Sequence, residues 1–283
     1  MIDSVIIPAA GLGTRLLTTT KESPKEMVPI FHRPSDGILL VKPLLEVIFE
    51  NLFDAGFRNF SIIVGRGKEE IENHLSPHYD FIDLLKKKNE FEYASILLRL
   101  YKKIEKSSIV WIRQYVQKGV GPATLLAKEV IGDRTFLFHA GDLYIPKTNY
   151  LKQMMELHTK LKPTATIGVI KRHNPRQYGV AELKRISNNI FKVVRAIEKP
   201  KHPRTNFALT GVNVFEPEIF DAIKHTKPSA LNEIQLTDSI DTLVKLKRDV
   251  IAAKMADNDV CIDIGTPENY FKALTHSYKN ITA

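Results

Sequence analysis

The sequence has little cysteine and no long uninterrupted apolar segment. Its 283 residues include one cysteine, Cys261, and one tryptophan. A single cysteine excludes an intrachain disulfide and a cysteine-based zinc cluster, and it suits a reducing compartment. No apolar stretch is long enough to cross a bilayer, and the first apolar run lacks a preceding basic segment and is interrupted by Pro8 and Gly11. We therefore expect a cytoplasmic protein without a membrane partner.

Acidic residues are outnumbered by basic ones, which gives a formal net charge of +9 at pH 7. The basic residues are scattered, with short runs at 86–88, 102–103 and 245–248, and no nucleic-acid-binding motif accompanies them. Solvated helix faces explain these runs better than a nucleic-acid interface, so we expect no nucleic-acid partner. A positive field would also attract polyanionic substrates, such as a nucleoside triphosphate and a sugar phosphate.

A glycine loop follows the first strand signal, which covers residues 4–8. Small residues around Gly11 and Gly13 allow backbone N–H groups to approach an anion closely. Arg15 then offers a planar fork for phosphate oxygens, and Lys25 adds a mobile positive charge. These residue types together suit a triphosphate. The candidate nucleotide-binding residues in this segment are Ala9, Ala10, Gly11, Leu12, Gly13, Thr14, Arg15 and Lys25.

The loop matches neither of the two better-known phosphate-binding patterns. No Gly-Lys pair is followed by Ser or Thr, as a Walker A loop requires, and Leu16 stands where a dinucleotide fingerprint has its third glycine. The alternative interpretation is an ordinary strand-to-helix turn.

Further motifs follow the loop in order along nearly the whole chain. They are Gln114, Gly119-x-Gly121, Gly141-Asp142, Tyr178-Gly179-Val180, Glu198-Lys199-Pro200, Gly211, the run Glu233–Asp238, and Asp263-x-Gly265. Each motif alone is weak, but the ordered set resembles the sugar-nucleotide pyrophosphorylases, and within them the UTP–glucose-1-phosphate uridylyltransferases. About ten extra residues between Ile30 and Val41 depart from the usual pattern of that family.

Strand and helix signals alternate over the first half of the chain. Strands are predicted at 4–8, 60–64 and 135–138, and a helix at 44–53 is expected to end at Gly56. This order implies a mostly parallel sheet with right-handed crossovers, and ligands of such sheets bind at the carboxyl ends of the strands.

The resemblance implies the same α/β fold: a Rossmann-like mixed, mostly parallel sheet flanked by helices, in a single domain spanning 1–283. We expect a nucleotide-binding half over about 1–145 and a sugar-phosphate-binding half over about 146–283. Residues 180–197 read as a β-hairpin of the sugar-facing half. Asn232 is placed to cap a helix that begins near Ile234.

A helical insertion is predicted at about 78–106, where an apolar stripe runs from Ala94 to Ile104 at helical spacing. The resemblance implies that this insertion helps to build a contact between subunits, in a homodimer or homotetramer. The alternative is that the stripe packs on the core of its own chain.

Two aspartates follow apolar strand signals, Asp142 after Gly141 and Asp263 before Gly265. Carboxylates at two strand ends can converge on one cation, and Mg²⁺ prefers a few carboxylate oxygens completed by phosphate oxygens and water. For either aspartate alone a helix cap or turn residue is the alternative. Together with the cationic loop they favour a Mg²⁺ site.

The base and sugar sites are predicted from the later motifs. The Gln114 amide can pair with the N3–H and O4 edge of uracil or thymine, and backbone at Gly119 would complete the base site; a surface glutamine near a turn is the alternative. The remaining roles come from the resemblance. It implies that the sugar-phosphate site contains Gly179, Glu198, Lys199 and Gly211, with Glu198 binding sugar hydroxyls and Lys199 the sugar phosphate.

The expected reaction needs no protein nucleophile, because glucose 1-phosphate is itself an anion that can attack the α-phosphorus of UTP and expel pyrophosphate. Arg15, Lys25 and Lys199, together with a Mg²⁺ ion held by Asp142, can align the phosphates and neutralise their charge. The candidate catalytic residues are therefore Arg15, Lys25, Asp142 and Lys199. The alternatives are an enzyme that uses dTTP, alone or beside UTP, and a non-catalytic regulatory protein that binds sugar nucleotides.

Overall fold

The computed structural model describes residues 2–33, 37–228 and 233–282. A nine-stranded mixed sheet forms its centre. The strands of the described residues are β1 (Ser4–Ala9), β2 (Pro29–His32), β3 (Leu40–Pro43), β4 (Asn59–Val64), β5 (Ser108–Arg113), β6 (Phe136–His139), β7 (Leu143–Tyr144), β8 (Ala165–Lys171), β9 (Val180–Ser187), β10 (Ile190–Ile197), β11 (Phe207–Phe215), β12 (Val250–Lys254) and β13 (Ile262–Asp263). The α-helices are α1 (Leu44–Asp54), α2 (Glu69–His74), α3 (Tyr79–Lys87), α4 (Phe91–Glu105), α5 (Val120–Leu125), α6 (Lys128–Ile131), α7 (Asn149–Leu161), α8 (Glu218–His225), α9 (Leu236–Lys245) and α10 (Pro267–Thr282).

The strand order in the sheet is β5-β4-β1-β6-β11-β8-β12-β10-β9. β5, β4, β1 and β6 are parallel, as the strand–helix–strand signals predict. β11 is antiparallel to both β6 and β8, and β10 is antiparallel to β12 and β9. The α/β fold is therefore confirmed, but mostly parallel pairing holds only for the first half. β9, β10 and β11 follow one another without a helix, and such direct connections favour antiparallel neighbours.

The sheet is covered on both faces. In β1, Val5 and Ile7 pack into one hydrophobic cluster with α1 and α4, whereas Ile6 packs into a second cluster with α8 and α9. Side chains alternate between the faces of a strand, so an uninterrupted apolar run such as that of β1 indicates burial on both sides. Strands from both halves of the chain contribute to this one sheet.

Most predicted elements lie within a few residues of their observed bounds. The helix at 44–53 is α1, and Gly56 follows it with a φ of 108°. The hairpin is β9 and β10, joined through Asn189, which has a φ of 58°. Asn232, the predicted cap, lies outside the described residues; the helix that follows begins at Leu236.

The predicted helical insertion consists of α3 and α4. Its apolar stripe packs on the core of its own chain: Ala94 is 2% exposed and Tyr101 is 5% exposed. The second interpretation of the stripe is thus the correct one, and its buried residues cannot form a contact between subunits. Leu97 and Leu98, which are partly buried, pack against the same core.

The extra residues near 31–40 extend an antiparallel pair, β2 and β3, in which Pro29 lies opposite Pro43. The hydroxyl of Tyr270 in α10 donates a hydrogen bond to the Pro29 carbonyl at 3.1 Å. Residues 34–36, between the two strands, are outside the described part of the chain. Among the described residues, no helix combines the length and apolar character that a membrane span requires.

Candidate active site

A cleft of about 520 Å³ opens at the carboxyl ends of the parallel strands. Its size is that of an ordinary small-molecule site. Two candidate residues, Ala9 and Arg15, are not part of its lining. Ala9 is fully buried in β1, and the Arg15 guanidinium lies beside Gly265. The candidate residues that line the cleft are Ala10, Gly11, Leu12, Gly13, Thr14, Lys25, Gln114, Gly119, Asp142, Gly179, Glu198, Lys199, Gly211 and Asp263.

Strand pairing brings the two aspartates together. The short strand β13 pairs antiparallel with β7, and this register places Asp263 opposite Leu143, the residue after Asp142. The Ile264 N–H also donates to the Asp142 carbonyl at 2.8 Å. The strand that ends at Asp263 has only two residues and lies outside the main sheet, but it puts the two carboxylates in one place.

Lys25 points from a short 3₁₀ helix to Asp142, with which it forms an ion pair. Burial alone would lower the pKa of Lys25, but the Asp142 carboxylate raises it above its ordinary value. Burial alone would raise the pKa of Asp142, and Lys25 lowers it below its usual range. Lys25 also approaches Gly11, where a methyl group would lie 3.2 Å from Nζ. The ammonium group therefore lies between the glycine loop and a carboxylate.

Arg15 approaches the second aspartate. A methyl group at Gly265 would lie 2.5 Å from Arg15 Nη2 and 2.8 Å from Asp263 Oδ1, so Gly265 is the residue that leaves room for both. The carboxyl of Asp263 has a pKa raised to about 6, because it is buried and faces the Asp142 charge. Among the described residues, its buried Oδ1 has no hydrogen-bond partner.

This pair of carboxylates fits Mg²⁺. A buried acceptor without a partner, whose ionisation is opposed by a neighbouring carboxylate, gains from a divalent cation. No group of three or more His, Cys, Asp or Glu side chains could hold a metal within the described ranges. Two protein carboxylates alone suit Mg²⁺, which keeps several waters and takes further oxygens from phosphates.

The candidate base site lies beside the loop after β5. The Gln114 N–H donates to the Val64 carbonyl at 2.9 Å, and its side chain, 8% exposed, faces the cleft. Gly119 has a φ of 98°, and a methyl group there would lie 2.4 Å from the Ile234 carbonyl oxygen. Only glycine fits this position without displacing backbone. The first residues of the Glu233–Asp238 run therefore lie directly against Gly119.

The candidate sugar site lies where the β9–β10 hairpin meets α9. Thr237 Oγ1 donates to Glu198 Oε2 at 2.7 Å, and Lys199 Nζ lies 3.2 Å from Glu198 Oε1. A methyl group at Gly179 would lie 2.4 Å from Thr237 Oγ1, which explains why this position is a glycine. Gly211 has a φ of 82°, in the region that favours glycine. All four sugar-phosphate candidates line the same cleft.

Some functional side chains were missed in the sequence. Gln117 donates from Nε2 to the Ala10 carbonyl at 2.8 Å and so holds the glycine loop. Thr237 orients Glu198, and Glu26 lines the cleft beside Lys25. Thr237 stands inside the Glu233–Asp238 run and Glu26 directly follows Lys25, so their polar character next to the candidate residues was an available signal. Cys261, in contrast, is a small buried residue, and burial raises the pKa of its thiol to about 12.

Comparison with known proteins agrees with this geometry. The chain belongs to the nucleotidyl transferase family, which it matches over residues 4–280. A relative from Pseudomonas aeruginosa named UTP–glucose-1-phosphate uridylyltransferase is 32% identical over 289 residues, covering 99% of this chain and 98% of the relative.

Solved structures of UDP-glucose pyrophosphorylases are similar over nearly the entire chain. One, in complex with UDP-glucose, superposes with a TM-score of 0.83 at 30% identity and covers 99% of this chain and 100% of its own. A UTP-bound enzyme from Acinetobacter baumannii has a TM-score of 0.84 at 27% identity, with coverage of 98% and 93%. The resemblance seen in the motifs is thereby confirmed.

Proposed function

We propose that this protein is a nucleotidyltransferase that forms UDP-glucose and pyrophosphate from UTP and glucose 1-phosphate. The observation that carries the proposal is the convergence of Arg15, Lys25, Asp142 and Asp263 at the glycine loop of a family member. The names of its relatives specify the substrates. A regulatory protein that only binds sugar nucleotides would have no need for both the cations and the paired carboxylates.

The reaction is a direct displacement. A phosphate oxygen of glucose 1-phosphate attacks the α-phosphorus of UTP, one P–O bond forms, and the bond to the β-phosphate breaks as pyrophosphate leaves. Lys25 and Arg15 neutralise the charge of the UTP phosphates, and Lys199 holds the sugar phosphate in line. Glu198 accepts hydrogen bonds from sugar hydroxyls. Mg²⁺ held by Asp142 and Asp263 would supply charge neutralisation between the phosphates of the two substrates.

The use of dTTP is the second candidate. Gln114 reads an edge that uracil and thymine share, so its position in the cleft allows either base. Pyrophosphate release should be measured with UTP, dTTP, CTP, ATP and GTP against several sugar 1-phosphates. Highest turnover with UTP and glucose 1-phosphate supports the proposal, preference for dTTP assigns the alternative, and no release with any pair contradicts both.

A cytoplasmic location and a homodimer or homotetramer complete the proposal. The location rests on the single cysteine, which is free and buried. Subunit contact would use the exposed apolar side chains of α3 and α4, among them Phe91 at 60% and Tyr93 at 47% exposure. Light scattering of the parent protein and of Phe91→Glu/Tyr93→Glu tests this assembly. A parent protein that is already monomeric would contradict it.

A further inference from the structure

A buried ion pair lies next to the candidate catalytic lysine. Glu26, the residue after Lys25, is 1% exposed, and Lys68, which precedes α2, is 8% exposed. Lys68 Nζ donates to Glu26 Oε2 at 3.1 Å. Burying two charges is costly even when they are paired, so the presence of this pair at the edge of the cleft calls for an explanation beyond stability.

The Glu26 side chain is fixed at two points. Lys68 holds one carboxylate oxygen, and the Cγ methylene packs against Gly141. A methyl group added at Gly141 would lie 3.3 Å from this Cγ. Gly141 is the residue before Asp142. Glu26 also lines the cleft, and in the described part of the chain its buried Oε1 has no hydrogen-bond partner.

Positive and negative side chains alternate from Lys68 through Glu26 and Lys25 to Asp142. The Lys68 ammonium pairs with the Glu26 carboxylate, and the next ammonium, that of Lys25, pairs with Asp142. The carboxyl groups of Glu26 and Asp142 both act on the charge of Lys25; burial raises the pKa of Glu26, and Lys68 and Lys25 oppose that rise. A lysine is a compact charge on a flexible stem, so its direction must be set by the groups around it. Glu26, which Lys68 anchors, directly follows Lys25 in the short 3₁₀ helix Lys25–Met27.

We propose that Glu26, anchored by Lys68, is a positioning residue that directs the Lys25 ammonium towards Asp142 and the substrate phosphates. The proposal rests on the proposed function, in which Lys25 neutralises the phosphates of UTP. Glu26 acts through Lys25, and Lys68 acts through Glu26. The loop after β4, which carries Lys68, thereby contributes to the candidate active site.

The test uses steady-state kinetics of Glu26→Gln, Lys68→Met and the double variant. A misdirected Lys25 should lower kcat ~10- to 100-fold, since small misplacements of a catalytic group have effects of this size. KM for UTP should stay within about threefold of the wild-type value, because the other phosphate contacts remain. The double variant should be no worse than the poorer single variant, since both changes disable one unit. Lys68→Arg keeps the ion pair and should restore most of kcat.

A matched control separates positioning from general stability. Lys42→Met breaks another buried ion pair, in which Nζ lies 2.9 Å from Glu46 Oε1, away from the lining of the cleft. It should lower the melting temperature and leave kcat unchanged. The inference is overturned if Glu26→Gln keeps kcat within about twofold of wild type, or if the losses in kcat of Glu26→Gln and Lys68→Met are additive in the double variant. It is also overturned if Lys42→Met lowers kcat as much as Glu26→Gln does. A wild-type protein that forms no sugar nucleotide would instead overturn the proposed function, and this inference with it.

Discussion

Thr237, near the start of α9, donates a hydrogen bond at 2.7 Å to Glu198, which directly follows β10. The second oxygen of Glu198 faces Lys199 at 3.2 Å. The carboxylate is therefore held from both sides before any sugar enters the cleft. Preorganisation of this kind lowers the entropic cost of binding.

Replacement of Thr237 by valine should weaken sugar binding selectively. Thr237→Val keeps the shape of the side chain and removes the donor, so KM for glucose 1-phosphate should rise about 10-fold, the size expected for a hydrogen bond to a charged group. KM for UTP should not change. Thr242→Val, on the same helix but outside the cleft lining, is the control. An unchanged KM for glucose 1-phosphate in Thr237→Val would show that Glu198 does not depend on this bond.

Base selectivity should depend on Gln114 and not on its neighbour Gln117. Gln114→Ala removes the amide that can pair with N3–H and O4, so it should raise KM for UTP and reduce the preference over CTP. Gln117→Ala removes the hydrogen bond to the Ala10 carbonyl. That variant should weaken binding of every nucleoside triphosphate equally. Turnover with the full set of triphosphates distinguishes the two, and an unaltered profile in Gln114→Ala would contradict the base site.

Arg15 and Gly265 should give the same kinetic defect when substituted. Arg15→Lys keeps the charge but loses the planar fork, so kcat should fall more than substrate binding. In Gly265→Ala the new methyl group would lie 2.5 Å from Arg15 Nη2 and displace the guanidinium. We expect a loss of ~10- to 100-fold in kcat for both variants. Near-normal kcat in Arg15→Lys would remove this residue from the catalytic group.

The sequence predicted those parts of the fold that local patterns determine. The apolar run of β1, the helical spacing of α1 and the hairpin turn at Asn189 are each visible in a short window of residues. Asp142 could be named for the same reason, because it follows the apolar strand β6.

Long-range pairing could not be predicted in this way. The apolar signals before Asp142 and Asp263 predicted that the two carboxylates converge, but not the pairing of the two-residue strands β13 and β7 that brings them together. The burial of Ala94 depends on the core against which α4 packs, and an amphipathic stripe looks the same whether it faces its own core or another subunit. The contact of Thr237 with Glu198 likewise joins residues far apart in sequence.

Stability should fall at acidic pH partly because of His139, at the end of β6. The ring is buried and donates to the Ala140 carbonyl at 2.8 Å, and burial lowers the pKa of His139 to about 4 from an ordinary 6.5. Between these values the unfolded chain binds a proton that the folded protein excludes. The free energy of unfolding should therefore decrease by up to about 3 kcal/mol as the pH falls from 6.5 to 4.

Urea unfolding across this pH range measures the His139 contribution. His139→Gln cannot titrate and retains a donor, so its stability should depend less on pH than that of the wild type. His225→Gln, at an exposed position of α8, is the control substitution. If the free energy of unfolding falls equally with pH in wild type and His139→Gln, then His139 is not the group responsible for the loss of stability at acidic pH.

Removal of either aspartate charge should abolish the response to Mg²⁺ while the fold survives. Asp142→Asn and Asp263→Asn keep the size and one oxygen ligand but weaken the hold on a divalent cation. Asp263→Asn should fold at least as well as wild type, because burial and the Asp142 charge already disfavour its ionised form, with a pKa raised to about 6. Asp142→Asn also leaves Lys25 without its carboxylate partner, so it should be the less stable of the two.

The two changes should be strongly non-additive in activity, since the loss of one ligand already disables a shared ion. Turnover in Mg²⁺ titrations and in EDTA, together with Mn²⁺ binding followed by electron paramagnetic resonance, measures both effects. We expect wild-type turnover to stop in EDTA and each single variant to lose at least ~100-fold in kcat, as electrostatic stabilisation of the transition state is removed. A wild-type Mg²⁺ response in either variant would show that its carboxylate serves the loop structure and does not hold the metal.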